Sequence, residues 1–257
     1  MLRKYGKEPF SIAVVHGGPG ACGSVACIAK ELSKTHGAVE SIQSKYSIAE
    51  LIDELRAQID EVTTVPITLL GHSWGAWLVV LYASQYPELV KQIVLVGSGP
   101  FKKEYVPRIM ERRIDNLTDS EAQSFRSLLL QLEDTEVADK DNLLAALGIL
   151  AEKADNYNAL ENDAEESIPD GELYAAIWPQ ADELRSPGKL MDALGMIKCP
   201  VVVIHGEYDP HPIEGVVDPL KEKGINADIH VLPNCGHSPF KEKQAKEQFY
   251  GILFSLL

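Results

Sequence analysis

A chain of 257 residues with 45% hydrophobic side chains is long enough for one large domain, or a core with an inserted subdomain, around a substantial buried interior. Its 38 acidic and 24 basic residues leave a formal net charge of −14 with no basic cluster. A nucleic-acid backbone or an anionic membrane surface would be repelled, and neither is expected as a partner.

Met1 to Phe10 carries Arg3, Lys4 and Lys7 but no apolar h-region, and no uncharged stretch is long enough to span a bilayer. The expectation is a soluble, cytoplasmic protein. Its four cysteines, Cys22, Cys27, Cys199 and Cys235, are then reduced core residues, and the only close pair lacks the second pair that a zinc site would need. Ile12-Ala13-Val14-Val15 reads as a buried strand ending abruptly at His16-Gly17-Gly18-Pro19-Gly20. A helix from Ser24 to Lys34 and a strand from Ala38 to Gln43 follow. Ile48 to Val62 has amphipathic spacing, with Leu51, Ile52, Leu55 and Ile59 on one face. Ile67 to Leu70 is another strand, Gly75 to Tyr86 a buried helix, and Gln92 to Val96 a strand closing at Gly97-Ser98-Gly99-Pro100.

From Phe101 to Leu194 the alternation gives way to helices. Thr118-Asp119-Ser120-Glu121 is a capping box, and a further helix is expected from Asn142 to Ala154. Eight carboxylates between Glu152 and Glu172 read as a solvated or mobile face. Val201 to Ile204 resumes the sheet and runs into His205-Gly206-Glu207-Tyr208-Asp209-Pro210. Ile229 to Leu232 is the last strand, followed by Pro233-Asn234-Cys235-Gly236-His237-Ser238 and a helix from Glu242 to Leu256. The fold class is therefore α/β, a mainly parallel sheet with helices on both faces. Residues 1–100 and 195–257 form the core, and residues 101–194 form an inserted helical cap over the strand ends.

Chemistry concentrates at Gly71-His72-Ser73-Trp74-Gly75. A serine with glycines two positions away on each side suits a sharp turn between strand and helix, which lifts the hydroxyl out of the sheet toward a helix N-terminus. Serine needs a base that is neutral near pH 7, and that base needs a carboxylate to fix its tautomer. Asp209 and His237 each follow a core strand after Ser73, and carboxyl ends of parallel strands converge at one edge. Glu207 is the rival acid. His211 is the rival base, although its closeness to Asp209 in sequence makes meeting both acid and serine difficult. His16, His72 and His205 read as supporting or packing residues. The oxyanion formed on attack needs amide donors, assigned to the backbone N–H groups of Trp74 and Gly18, with Gly17 as the alternative.

Together, H-G-G-P-G at 16–20, G-H-S-W-G at 71–75, Asp209 and G-H-S at 236–238 resemble an α/β-hydrolase, and the tryptophan after the serine resembles the proline iminopeptidase branch. That branch has a longer segment before H-G-G-P-G and acidic cap residues, commonly near a Trp-Glu pair, for the substrate's amine. This chain has no Trp-Glu dipeptide; Glu165 and Glu166 are the candidates by position, and the first strands of the sheet are expected to be shortened or absent. The lead expectation is a serine hydrolase that cleaves an ester or amide of a small-molecule substrate through an acyl-enzyme, with no metal or organic cofactor. The alternatives are an iminopeptidase, a carbon–carbon bond hydrolase and a non-turnover ligand-binding receptor of the same fold.

Overall fold

In the computed structural model, which describes residues 1–160, 167–186 and 188–257, strands and helices alternate as the apolar runs require. The strands are β1 (Leu2–Tyr5), β2 (Phe10–Val15), β3 (Ala21–Cys22), β4 (Gly37–Ser41), β5 (Ile67–His72), β6 (Val90–Val96), β7 (Ile168–Pro169), β8 (Val201–Gly206) and β9 (Asp228–Leu232). The helices are α1 (Ala26–Leu32), α2 (Ile48–Asp60), α3 (Trp74–Gln85), α4 (Val106–Asp115), α5 (Asp119–Glu133), α6 (Lys140–Asp155), α7 (Gly171–Leu184), α8 (Lys189–Gly195), α9 (Glu214–Glu222) and α10 (Lys246–Ser255).

Seven strands form one sheet in the order β1-β4-β2-β5-β6-β8-β9, parallel throughout except for β1, which runs antiparallel to β4. Central β5 is buried at all six positions, as a strand covered on both faces must be. On one face pack Leu51, Ile52, Leu55 and Ile59 of α2, Leu78 and Tyr82 of α3, and Leu190 and Leu194 of α8. On the other pack Ile28 and Leu32 of α1 with Phe249 and Leu253 of α10. The four α2 residues are 1–3% exposed, so each contributes about 1.5–3 kcal/mol of apolar burial. Ser47 caps that helix by accepting from the Glu50 N–H.

Helices α4 to α8 lie between β6 and β8. Thr118 and Glu121 form the expected capping box at the start of α5. Phe125, Leu132 and Leu147 make a small core of their own, whereas Leu173, Ile177 and Ala181 of α7 join the core beneath the sheet. The acidic run is not uniformly solvated: Asp155 is buried in a two-pronged pair with Arg113, at 2.6 Å on each prong. Its members Glu161, Asp163, Glu165 and Glu166 lie outside the described residues.

Other expectations need correction. The N-terminal part of the sheet is short rather than missing, since β1 precedes the first expected strand. The helix expected from Ser24 begins at Ala26. The last helix begins at Lys246 instead of Glu242, because Pro239–Lys241 forms a 3₁₀ turn and the Glu242 carboxylate is used elsewhere. Strand β9 leaves Ile229 and Val231 exposed, because it is the sheet's last strand. Cys22 and Cys235 are buried, Cys27 and Cys199 half-buried, and all four are free thiols. Among the described residues no helix is long and apolar enough to cross a membrane.

Candidate active site

Ser73 sits at the junction of β5 and α3 with φ 54° and ψ −118°, a left-handed conformation that a non-glycine residue adopts only under constraint. The constraint is close packing. A β-carbon on Gly71 would lie 2.3 Å from the Gly75 carbonyl oxygen, and one on Gly75 would lie 2.4 Å from the Val15 carbonyl oxygen. Both glycines are thus required for α3 to start hard against the sheet, with Ser73 held at its N-terminus. Trp74, the first residue of α3, offers a backbone N–H that no intrahelical carbonyl can accept.

Asp209, 1% exposed, accepts a 2.9 Å hydrogen bond on Oδ2 from His237 Nδ1. Burial by itself would raise the Asp209 pKa, but His237, His205 and His211 surround the carboxylate and hold it well below the ordinary range. For His237 burial acts downward, and the Asp209 charge and hydrogen bond outweigh it, leaving the imidazole above its usual value of 6.5. The acid and base expected from the sequence therefore meet. The rival base His211 also reaches the acid: its Nδ1 donates to Asp209 Oδ1 at 2.8 Å, and its ring stacks on His237 with centroids 4.4 Å apart. The rival acid Glu207 is exposed.

His72 ties the His237 loop to the elbow. Its Nε2 donates to the His237 carbonyl at 3.1 Å, and the two rings lie 4.9 Å apart. Burial, followed by the nearby His237 charge, pushes His72 well below 6.5 and keeps it neutral. Among the described residues Ser73 Oγ makes no hydrogen bond, to His237 or to any other group. Catalytic hydrogen bonds of this kind commonly tighten only with substrate bound.

The glycine loop after β2 lies beside the serine: a β-carbon on Gly17 would be 3.0 Å from Ser73 Cβ, and Gly18 has φ 38°. Gln43, which sequence reasoning assigned only to a strand, links this loop to the elbow. Its Oε1 accepts from Trp74 Nε1 at 2.9 Å, and its Nε2 donates to the His16 carbonyl at 3.4 Å. His16 is completely buried, which depresses its pKa to about 4. A polar side chain just beyond an apolar strand was the one available signal for Gln43, and it does not reveal the partner.

The loop carrying His237 is fastened to the inserted helices. Glu242, fully buried, accepts backbone N–H groups from Tyr157 at 2.6 Å, Asn158 at 2.7 Å and Gly236 at 2.7 Å. The His237 N–H donates to the Asp155 carbonyl at 2.8 Å, and the Ser238 N–H to Asn156 Oδ1 at 3.1 Å. On the other side, β7 pairs with β3, and the Asp170 N–H donates to the Gly20 carbonyl at 2.8 Å.

Asp209, His211 and His237 are also the one group of metal-ligating types, among the described residues, whose ligand atoms lie within 4.8 Å of one another. Both Nδ1 atoms are hydrogen-bonded to the carboxylate, the arrangement of an acid–base pair with an added donor.

The alpha/beta hydrolase fold family matches this chain over residues 11–244. Individual similarities are distant. Pimeloyl-[acyl-carrier protein] methyl ester esterase of Nitrosomonas europaea is 25% identical over 228 residues, covering 79% of this chain and 83% of the esterase. An uncharacterized protein of Mycobacterium tuberculosis is 23% identical over 220 residues, 82% of this chain; the chain spans 62% of that relative's length. Among solved structures, Bacillus megaterium epoxide hydrolase in complex with an inhibitor aligns with a TM-score of 0.66 at 18% identity, covering 99% of this chain and 95% of that one. The last likeness concerns the fold alone.

Proposed function

Because the chain belongs to the α/β-hydrolase fold family, we propose that it is a serine hydrolase that cleaves an ester or amide of a small molecule through an acyl-enzyme. The observation carrying this reading is the buried Asp209–His237 pair, bonded at 2.9 Å and reaching through His72 to a serine held at φ 54°. In the proposed mechanism His237 Nε2 takes the Ser73 proton as Oγ attacks the substrate carbonyl, and Asp209 stabilises the imidazolium. The backbone N–H groups of Trp74 and Gly18 hold the oxyanion. The imidazolium returns its proton to the leaving group, and water, activated by the same base, hydrolyses the acyl-enzyme. Serine as nucleophile disfavours the aspartate-based chemistry of epoxide hydrolases of this fold.

In this reading helices α4 to α6, with a small core of their own, cover the site as a cap and select the substrate. An iminopeptidase would need a carboxylate for the substrate's ammonium group. Asp155 is committed to Arg113, Glu242 to three amides and Asp209 to the histidines. The candidates by position, Glu165 and Glu166, belong to a strongly charged stretch of sequence that reads as a solvated face, and the ester or simple amide reading is preferred.

A fluorophosphonate probe tests the nucleophile: it should label the native chain and not Ser73→Ala, and equal labelling of both would overturn the assignment. Short-chain aryl esters should exceed a prolyl arylamide in kcat/KM; the opposite order would favour the iminopeptidase reading.

A further inference from the structure

A triad needs only one histidine, yet the Asp209 carboxylate serves two. Oδ2 accepts from His237 Nδ1 at 2.9 Å, while Oδ1 accepts both the His211 ring Nδ1 at 2.8 Å and the His211 backbone N–H at 2.9 Å. The backbone bond curls the loop back on itself, as an aspartate bonded to the amide two residues on is apt to do. The His211 ring is thereby laid over His237 at 4.4 Å with 26° between the planes. Its carbonyl is fixed in turn, accepting from His205 Nε2 at 2.8 Å.

We propose that His211 is a positioning residue of the triad, locking the rotation of the Asp209 carboxylate from one side and the ring plane of His237 from the other. The inference deepens the serine-hydrolase reading and rests on it. Without the ring, Oδ1 keeps only the backbone N–H, and the carboxylate turns more freely about its Cα–Cβ and Cβ–Cγ bonds, carrying the imidazole with it. Small angular errors at a proton-transferring base are costly, since misplacement by ~1 Å can cost ~10²-fold in rate. His211 suits the task because it stays neutral. Burial, followed by the nearby His237 charge, lowers its pKa to about 4, so its Nδ1 keeps the role of donor while His237 cycles through the imidazolium. The donated proton also shares part of the Asp209 charge that would otherwise raise the pKa of His237. Other charged or titratable groups around the pair, among the described residues, are His205 on β8, His72 on β5, Arg113 on α4, Arg112 on α4 with its guanidinium on the Asp209 carbonyl, Asp155 on α6, Cys235 after β9 and Lys241 beside His72.

The test measures aryl ester hydrolysis against pH for the native chain and for His211→Ala, His211→Phe and His211→Asn, with Ser73→Ala as control. His211→Ala should lower kcat about tenfold to a hundredfold with KM unchanged. His211→Phe keeps a ring over His237 without the donor, and its acid limb should move to higher pH. His211→Asn, whose amide can donate to Oδ1, should restore most of the loss and the native profile. Native kcat and superimposable profiles in the Ala and Phe variants would overturn the proposal, as would an Asn variant no better than Ala. Independently of any variant's folding, ¹⁵N imidazole NMR of the native chain should show His211 neutral and protonated on Nδ1 from pH 5.5 to 9 while His237 titrates. Titration of His211 in that range would also overturn it. If Ser73→Ala hydrolyses the ester as fast as the native chain, the serine-hydrolase reading itself fails.

Discussion

Acid should unfold this protein well before its carboxylates are protonated, and the buried histidines set the scale. His16 and His211 are held neutral, each shifted from 6.5 to about 4, and burial likewise holds His72 well below 6.5. A histidine depressed in the fold contributes stability above its unfolded pKa and loses it as pH falls, because the unfolded chain then binds a proton that the fold refuses. At ~1.4 kcal/mol per pH unit and per histidine, His16 and His211 each forfeit about 2 kcal/mol between pH 7.5 and pH 5. Together that is about 4 kcal/mol, a large part of the whole stability of many domains, and His72 acts in the same direction. His237 acts with the opposite sign: its pKa is raised, so its contribution is fully present below ~6.5 and is lost only as pH rises through the raised value. It therefore offsets the acid loss in part, over the stretch between pH 7.5 and ~6.5 where the folded chain takes up that proton more readily than the unfolded one. The melting temperature, measured by circular dichroism at constant ionic strength, should fall by about 10–20 °C from pH 7.5 to pH 5. His16→Gln should flatten that slope, since one of the histidines that take up a proton on unfolding is removed. A melting temperature constant to within 2 °C over this range would refute the reasoning.

Three more outcomes are expected. The Glu242→Gln substitution sets an amide donor against backbone N–H groups, so the midpoint of thermal unfolding should drop by about 10 °C, whereas exposed Glu207→Gln should change neither stability nor esterase activity. In Gln43→Leu the buried Trp74 indole N–H loses its acceptor; urea titration should register about 1–3 kcal/mol, and kcat should fall by less than the ~10²–10³ that follows loss of an oxyanion donor. The kcat/KM for an aryl ester should rise with pH through an apparent pKa above ~6.5, because protonated His237 cannot accept the serine proton. A profile flat from pH 5 to 8 would contradict that role.

Much of the fold was legible because its strands are continuous apolar runs stopped by glycine, and a buried parallel strand has little other way to be written. The elbow was legible for a related reason: Gly71 and Gly75 are placed where any side chain would collide with backbone. Strand β1 was hidden by Arg3 and Lys4 and is recognisable only through its pairing with β4. The role of His211 beside Asp209 was not legible, because it depends on a turn that folds the ring back onto its own neighbour and over His237. Gln43 and Glu242 were illegible in a stricter sense. Their importance lies in the Trp74 indole and in three amides from remote segments, and no local pattern encodes a partner that only the tertiary fold supplies.

The fastening of the His237 loop to residues 155–158 bears on how such an enzyme can be re-engineered. A substrate-selecting insertion is often treated as a cassette, exchangeable between relatives while the catalytic scaffold is left alone. Here the end of α6 and the residues after it supply the Asp155 carbonyl and the Asn156 side chain that accept from His237 and Ser238, and two of the three amides gathered by Glu242. A chimera that replaces the helices wholesale would take away the base's anchorage along with the old specificity, and turnover would fall even for a substrate that the new helices admit. Exchange points placed after Leu117 and before Glu152 would leave those contacts in the scaffold. They also leave Arg113 with its partner Asp155, so the helices between those points could vary without disturbing the anchorage of His237.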